Sequence, residues 1–132
     1  MIGGPGANAA FYEEIRRRAA AIPNVEFKGF LPLAEVEPWF DRARVVVSTS
    51  LYEGMPNTFL QAWARGVPTV ATVDVGVPPH RVAADVDGLA AGIEEAFADG
   101  ARGEACRQYF ERSHAASHVF ERYDELFRTL LQ

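Results

Sequence analysis

The sequence predicts a single doubly wound α/β domain, with a parallel sheet and helices on both faces. Three observations carry that expectation. Apolar spacing alternates between helical and extended modes along the chain. The extended runs are short, β-branched and continuous, Val45-Val46-Val47 above all, as strands buried on both faces of a parallel sheet must be. The modes change at Pro23-Asn24, Gly29 and Gly66, residue types that end elements.

Met1–Gly4 reads as the end of a strand. Asn8 caps a helix carrying Phe11, Ile15, Ala19 and Ile22. Val25–Lys28 is a short strand closed by Gly29, and Leu33–Val36 a single turn. A brief helix starts at Pro38, where the missing N–H costs nothing, and bears Trp39, Phe40 and Ala43. Val45–Thr49 is the next strand. Helix Asn57–Arg65 follows and stops at Gly66 in a left-handed cap. Pro68–Thr72 is a second buried strand and Arg81–Ala84 a last short one. Asp85 caps a helix with Val86, Leu89, Ile93 and Phe97. Two further helices lie near Ala101–Arg112 and His114–Leu131, the second lined by Val119, Tyr123, Leu126 and Leu130.

Composition narrows the function classes. The 132 residues are 48% apolar and 23% charged, which fits a globular chain and no disordered tail. Thirteen basic against eighteen acidic residues give a net charge of −5, which argues against a nucleic-acid partner. No apolar run approaches the ~18 residues of a membrane span, and MIGGPG lacks the features of a signal peptide. Cys106 is the one cysteine, so a reducing cytosol is the expected compartment.

A doubly wound sheet binds ligands beyond the carboxyl ends of its strands, which selects the loop after Val45–Thr49. Ser48 to Ala71 read STSLYEGMPNTFLQAWARGVPTVA. Glu53 sits just past the strand, and Gly54 keeps the turn free of a side chain. The free N–H groups of residues 55–58 at the helix start, with the positive end of its dipole, suit a phosphate. Asn57, Gln61 and Arg65 form a polar stripe, opposite Phe59, Ala62 and Trp63. At ~1.5 Å per residue, Gln61 lies ~6 Å further along the axis. A carboxylate, an anion nest and an amide in sequence match a diphosphate flanked by two hydroxyl-bearing sugars.

Other residues read as structural. Gly3-Gly4-Pro5-Gly6 is a turn without full phosphate-loop spacing. His114 and His118, spaced i, i+4, have no third ligand and form a solvated helix face, so no metal is expected. His80 is a loop residue outside the groove, Cys106 a packing residue, and Trp39 and Trp63 core or interface residues. Arg16-Arg17-Arg18 is a solvated run offset by Glu13-Glu14, able to touch anionic lipid.

EGMPNTFLQAWARGVPTV resembles the signature of group 1 (family 4) glycosyltransferases, enzymes of the two-domain GT-B fold. IGGPG and VEFKGFLPLAEVEPWFDRARVVVSTS resemble the segments before it, so the resemblance covers most of the chain. It implies that Glu53 contacts donor-sugar hydroxyls as the catalytic-site carboxylate. It also implies that the backbone of Gly54, Met55, Pro56, Asn57 and Thr58 holds the diphosphate, and that Gly29-Phe30-Leu31 lies beside the base. The family's second glutamate, which holds the ribose, falls on Gln61. Glutamine can still accept from one hydroxyl and donate to another, but it forfeits a charge-assisted bond of ~1.5–3 kcal/mol.

The family's domain opens with a strand and helix that precede IGGPG and carry an arginine and a lysine for the diphosphate. Its N-terminal acceptor-binding domain also lies upstream. The expectation is therefore a C-terminal, nucleotide-sugar-binding domain spanning residues 1–132, part of a larger retaining enzyme and inactive alone. The missing strand would stand between the IGG and VVVST strands, so either those two close up or the gap is filled by another copy, a self-association, or by altered pairing. The resemblance implies a nucleotide-sugar donor, a polysaccharide or glycolipid acceptor, no metal or other cofactor, and a cytoplasmic site at the inner membrane face. The alternative is a non-enzymatic doubly wound module or a folded unit that binds nothing tightly. A receiver-like module is poorly supported, because Ser48-Thr49-Ser50 stands where its central aspartate belongs and Lys28 is the one lysine.

Overall fold

The computed structural model describes residues 8–77 and 80–131. The expected Met1–Gly4 strand, the Gly3–Gly6 turn and the gap beside them lie outside the described residues. The chain divides into two compact units, Met1–Trp39 and Phe40–Gln132.

In the first unit, α1 (Ala9–Ala20) starts where Asn8 Oδ1 accepts from the Phe11 N–H at 3.0 Å. Its solvated face carries the expected ion pairs, Arg16 with Glu13 and both Arg17 and Arg18 with Glu14. Those two guanidiniums, Arg18 foremost, hold Glu14 below the usual carboxylate range. Val25–Lys28 forms no strand, contrary to expectation. Among the described residues of this unit Gly29, just past the segment, forms a single β-bridge, and one bridge does not make a ladder. The segment packs through side chains instead. Phe27 meets Tyr12 edge-on at 5.4 Å, and the Lys28 ammonium lies 5.0 Å from the centre of the half-buried Trp39 ring.

Leu33–Arg42 is one helix, α2, rather than a turn and a second helix beginning at Pro38. It starts a turn earlier because the Pro32 carbonyl accepts from Glu35 and Val36, at 2.9 and 3.2 Å. Pro38 removes a single hydrogen bond from the interior, which the apolar face of Val36, Trp39 and Phe40 tolerates.

The second unit holds a three-stranded parallel sheet in the order β1 (Val46–Ser48), β2 (Thr69–Ala71), β3 (Arg81–Val82). Val47 pairs with Val70, and Val70 with Arg81. The helices are α3 (Asn57–Ala64), α4 (Val86–Ala98), α5 (Gly100–Ser113) and α6 (Ala116–Leu130). All three residues of β2 are buried, and its side chains alternate between two helix layers. Thr69 accepts from the Trp63 indole of α3 at 3.0 Å, and Ala71 joins the same cluster, whereas Val70 abuts Gly92 of α4. The result is the expected α/β arrangement, a small parallel sheet flanked by helices.

The expectation for Val45–Val47 needs correcting. Among the described residues β1 is an edge strand, and Val47 is 42% exposed. Among the described residues, only β2 has neighbours on both sides.

The core is Phe59, Trp63, Ala71 and Cys106, with Met55, Val73, Val75, Tyr109 and Phe110 packed around it. Gly66 has φ +69° and closes α3 as anticipated, while the Val67 N–H returns to the Ala62 carbonyl at 2.9 Å. Here α3 and α5 touch backbone to backbone, since a Cβ on Gly103 would stand 2.3 Å from the Gly66 carbonyl oxygen. That approach lets Cys106 reach the α3 core. Burial lifts its thiol to about 11, against a smaller opposing pull from Arg102, so it is an inert packing group.

Asp85 caps α4 as expected, accepting from Gly88 at 2.8 Å. His114 and His118 do not share a helix face. His114 closes α5 against the Tyr109 ring, and α6 begins only at Ala116. The α6 apolar stripe is well exposed, with Phe120 at 72% and Leu130 at 70%.

Candidate functional site

The loop after β1 is tied down at its start. Ser48 Oγ lies 3.2 Å from Ser50 Oγ, and the Ser50 carbonyl accepts from Thr72 Oγ1, just past β2, at 2.9 Å. The Thr72 N–H donates to the Ser48 carbonyl at 3.1 Å, so the two strand ends hold each other. Beyond this anchor the chain turns outward. Leu51 is 82% and Tyr52 90% exposed, and Glu53 and Gly54 are exposed too.

Met55 brings the chain back by packing against the core, and the buried Pro56 starts α3. Proline sets φ at −64° but offers no side chain to cap the helix. Its carbonyl accepts from Phe59 at 2.9 Å and from Leu60 at 3.4 Å. The N–H groups of Asn57 and Thr58 have no partner within the helix, and the N-cap Pro56 makes no side-chain cap bond. Both residues are exposed, so these donors and the positive end of α3 face outward.

A Cβ on Gly54 would meet nothing within 4 Å. The fold does not require glycine there.

Gln61 is half-buried, one turn along from Asn57. Arg65, the third member of the anticipated stripe, is committed elsewhere. Its Nε donates to Asp41 at 2.7 Å, Nη1 donates to the Gln61 carbonyl at 3.2 Å, and its guanidinium lies 5.8 Å from the Phe40 ring centre. It braces the C-terminal end of α3. The second unit therefore presents Glu53, Gly54, the two free donors of Asn57 and Thr58, and Gln61 along one short helix and its leading loop.

Gly29, Phe30 and Leu31 belong to the first unit. Gly29 is buried with φ +65°, a left-handed conformation that favours glycine, and a Cβ there would press on the Tyr12 hydroxyl at 3.0 Å. Phe30 is 72% exposed and Leu31 half-buried, a surface available for stacking.

Sequence reasoning missed one buried network. Thr69, wholly buried, accepts from Trp63 Nε1 at 3.0 Å and lies 3.2 Å from His80 Nδ1. His80 Nε2 lies 2.7 Å from the Val73 carbonyl, and its ring sits 5.0 Å from that of Phe59. The available signal was a hydroxyl inside an otherwise apolar buried strand, which must find partners.

Among the described residues no group of three or more acidic, cysteine or histidine side chains could hold a metal, and no helix is long and apolar enough to cross a membrane. No curated protein matches the chain. The sequence profile described as "Glycosyl transferases group 1" matches residues 1–103, more than three quarters of the chain and the whole of the candidate site. The chain belongs to the group 1 glycosyltransferase family.

Proposed function

We propose that this chain is the donor-binding half of a retaining glycosyltransferase, and that Glu53 to Gln61 hold a nucleoside diphosphate sugar. The observation that carries the reading is the uncapped start of α3. Two helix donors and the dipole face outward beside an exposed carboxylate, with open space over Gly54 between them.

The roles follow from the chemistry of each group. The Glu53 carboxylate accepts hydrogen bonds from hydroxyls of the donor sugar and fixes its orientation. The N–H groups of Asn57 and Thr58 bond the distal phosphate. As the bond between the sugar carbon and the phosphate oxygen breaks, negative charge grows on the departing diphosphate, and these donors stabilise it without reorganising. Gln61, ~6 Å further along the axis, bonds the ribose as both donor and acceptor. The sugar passes to an acceptor hydroxyl of a polysaccharide or glycolipid, at the inner membrane face of the parent enzyme.

Calorimetry with substituted chains separates these roles. Glu53→Ala weakens UDP-glucose binding and leaves UDP unchanged, because only the sugar meets the carboxylate. Gln61→Ala weakens both, by a loss of about 1 kcal/mol expected for a neutral hydrogen bond. Equal losses for both ligands in Glu53→Ala would refute the sugar assignment. No binding by the unsubstituted chain would favour a folded unit without a tight ligand.

A further inference from the structure

We propose that His80 is a positioning residue, which latches the loop after β2, and through it the donor loop, only while its imidazole is neutral. The proposal rests on the donor-site reading of Glu53 to Gln61. The Val73 carbonyl can only accept, so His80 Nε2 carries the proton, at 2.7 Å. In the neutral ring Nδ1 is then bare and accepts from the Thr69 hydroxyl at 3.2 Å. That hydroxyl is free to donate because its oxygen accepts from Trp63 Nε1. The chain of bonds from indole to hydroxyl to imidazole to carbonyl runs in one direction, and every proton has an acceptor.

The latch reaches the donor loop through short steps. Val73 follows Thr72, whose side chain holds the Ser50 carbonyl at 2.9 Å, three residues before Glu53. Val73, Val75 and Val77 also pack on the core that receives Met55.

Protonation removes the arrangement. A proton on Nδ1 turns an acceptor toward Thr69 into a donor, and the Thr69 hydroxyl, wholly buried, is left without its acceptor. The ring has somewhere to go. It lines a cavity of about 380 Å³ whose other walls are Arg81, Asp99, Ala101, Arg102 and Ala105. The charged groups lining that cavity are Arg81 of β3 and Arg102 and Asp99 at the start of α5; Glu95 of α4 pairs with Arg81 at 3.4 Å, and Asp74 of the loop accepts from the Gly76 N–H at 2.7 Å. Asp99 is the acidic group among the cavity's lining residues, its carboxylate shared with the Ala101 N–H at 3.0 Å and Arg102 at 3.6 Å, and the face of Phe59 is what the ring leaves behind. Once the ring swings out, Val73 loses its donor and the loop is released.

The test is a pH titration followed by amide shifts, between about pH 8 and pH 5, where imidazole changes charge. The amides of residues 73–77 and 50–55 should move with one midpoint, that of the His80 ring carbons. His80→Gln keeps a donor for the Val73 carbonyl and cannot take a charge. In it, those amides should hold their neutral-pH positions throughout. UDP-glucose affinity should fall on the order of tenfold across the range in the parent chain and stay within about twofold in His80→Gln, matching the loss of one buried hydrogen bond. Loop amides that stay still while the His80 ring titrates, or that move equally in His80→Gln, would overturn the latch. Loop amides that follow the ring in a chain that binds no donor at any pH would uphold the latch and refute the donor reading instead.

Discussion

Gly103→Ala tests the crossing of α3 and α5, which positions the candidate site from behind. Helix propensity alone predicts a gain, since alanine inside a helix is favoured over glycine by about 1 kcal/mol. Geometry predicts the opposite. The new methyl would stand 2.3 Å from the Gly66 carbonyl oxygen, and contacts under 3.0 Å are essentially never seen. The obstacle is backbone at the left-handed cap of α3, so the helices must part by most of an ångström and loosen the packing of Cys106 on Phe59 and Trp63. Overpacking costs about 1–3 kcal/mol, and an unyielding backbone obstacle puts this case at about 2–3, leaving a net loss of about 1–2 kcal/mol after the propensity gain. For a chain of this size each kcal/mol moves Tm by about 4 °C. Thermal unfolding by circular dichroism should show a fall of about 4–8 °C. Gly100→Ala is the control, because a Cβ there meets nothing, and its Tm should be unchanged or slightly raised. A Gly103→Ala chain as stable as the parent would refute the close crossing.

Three more outcomes follow from packing and charge. Trp63→Ala, at a wholly buried position, should cost about 3–5 kcal/mol in denaturant unfolding, whereas Leu130→Ala, 70% exposed on α6, should stay within about 0.5 kcal/mol. Asp85→Ala removes the cap on the Gly88 N–H and should cost about 1 kcal/mol. The Cys106 thiol is raised from 9.0 to about 11 in the fold, so stability should be flat below pH 9 and fall as pH climbs from 9 to 11. Over that range the unfolded chain releases a proton that the folded one retains. Cys106→Ala should flatten this alkaline fall, as read by urea midpoints at each pH.

Much of the second unit was legible because its signals are local. Asp85 caps, Gly66 ends α3 in the left-handed region, and the β-branched runs lie where strands form. What escaped depends on neighbours remote in sequence. Val25–Lys28 has strand composition, but its described surroundings give it no ladder. Pro38 reads as a start because its missing N–H is harmless there, yet the Pro32 carbonyl opens the helix earlier. The i, i+4 spacing of His114 and His118 suggested one face, and the break at His114-Ala115 divides them. Val45–Val47 reads as a doubly buried strand, and burial is a property of the sheet order rather than of the run itself. In the site, the order of Glu53, Gly54 and the α3 start could be read directly. The diversion of Arg65 to Asp41 and the inward turn of His80 could not, because each bond joins separate elements.

The most direct test of the donor-binding claim is a ¹H–¹⁵N titration of the labelled chain with UDP, GDP, ADP and UDP-glucose. The account predicts saturable shifts at residues 53–61, strongest at the Asn57 and Thr58 amides, with one base preferred. Glu53 and Gly54 should respond only to the sugar nucleotide. Shifts that fall elsewhere, or no shift for any of the four at millimolar concentration, would contradict it.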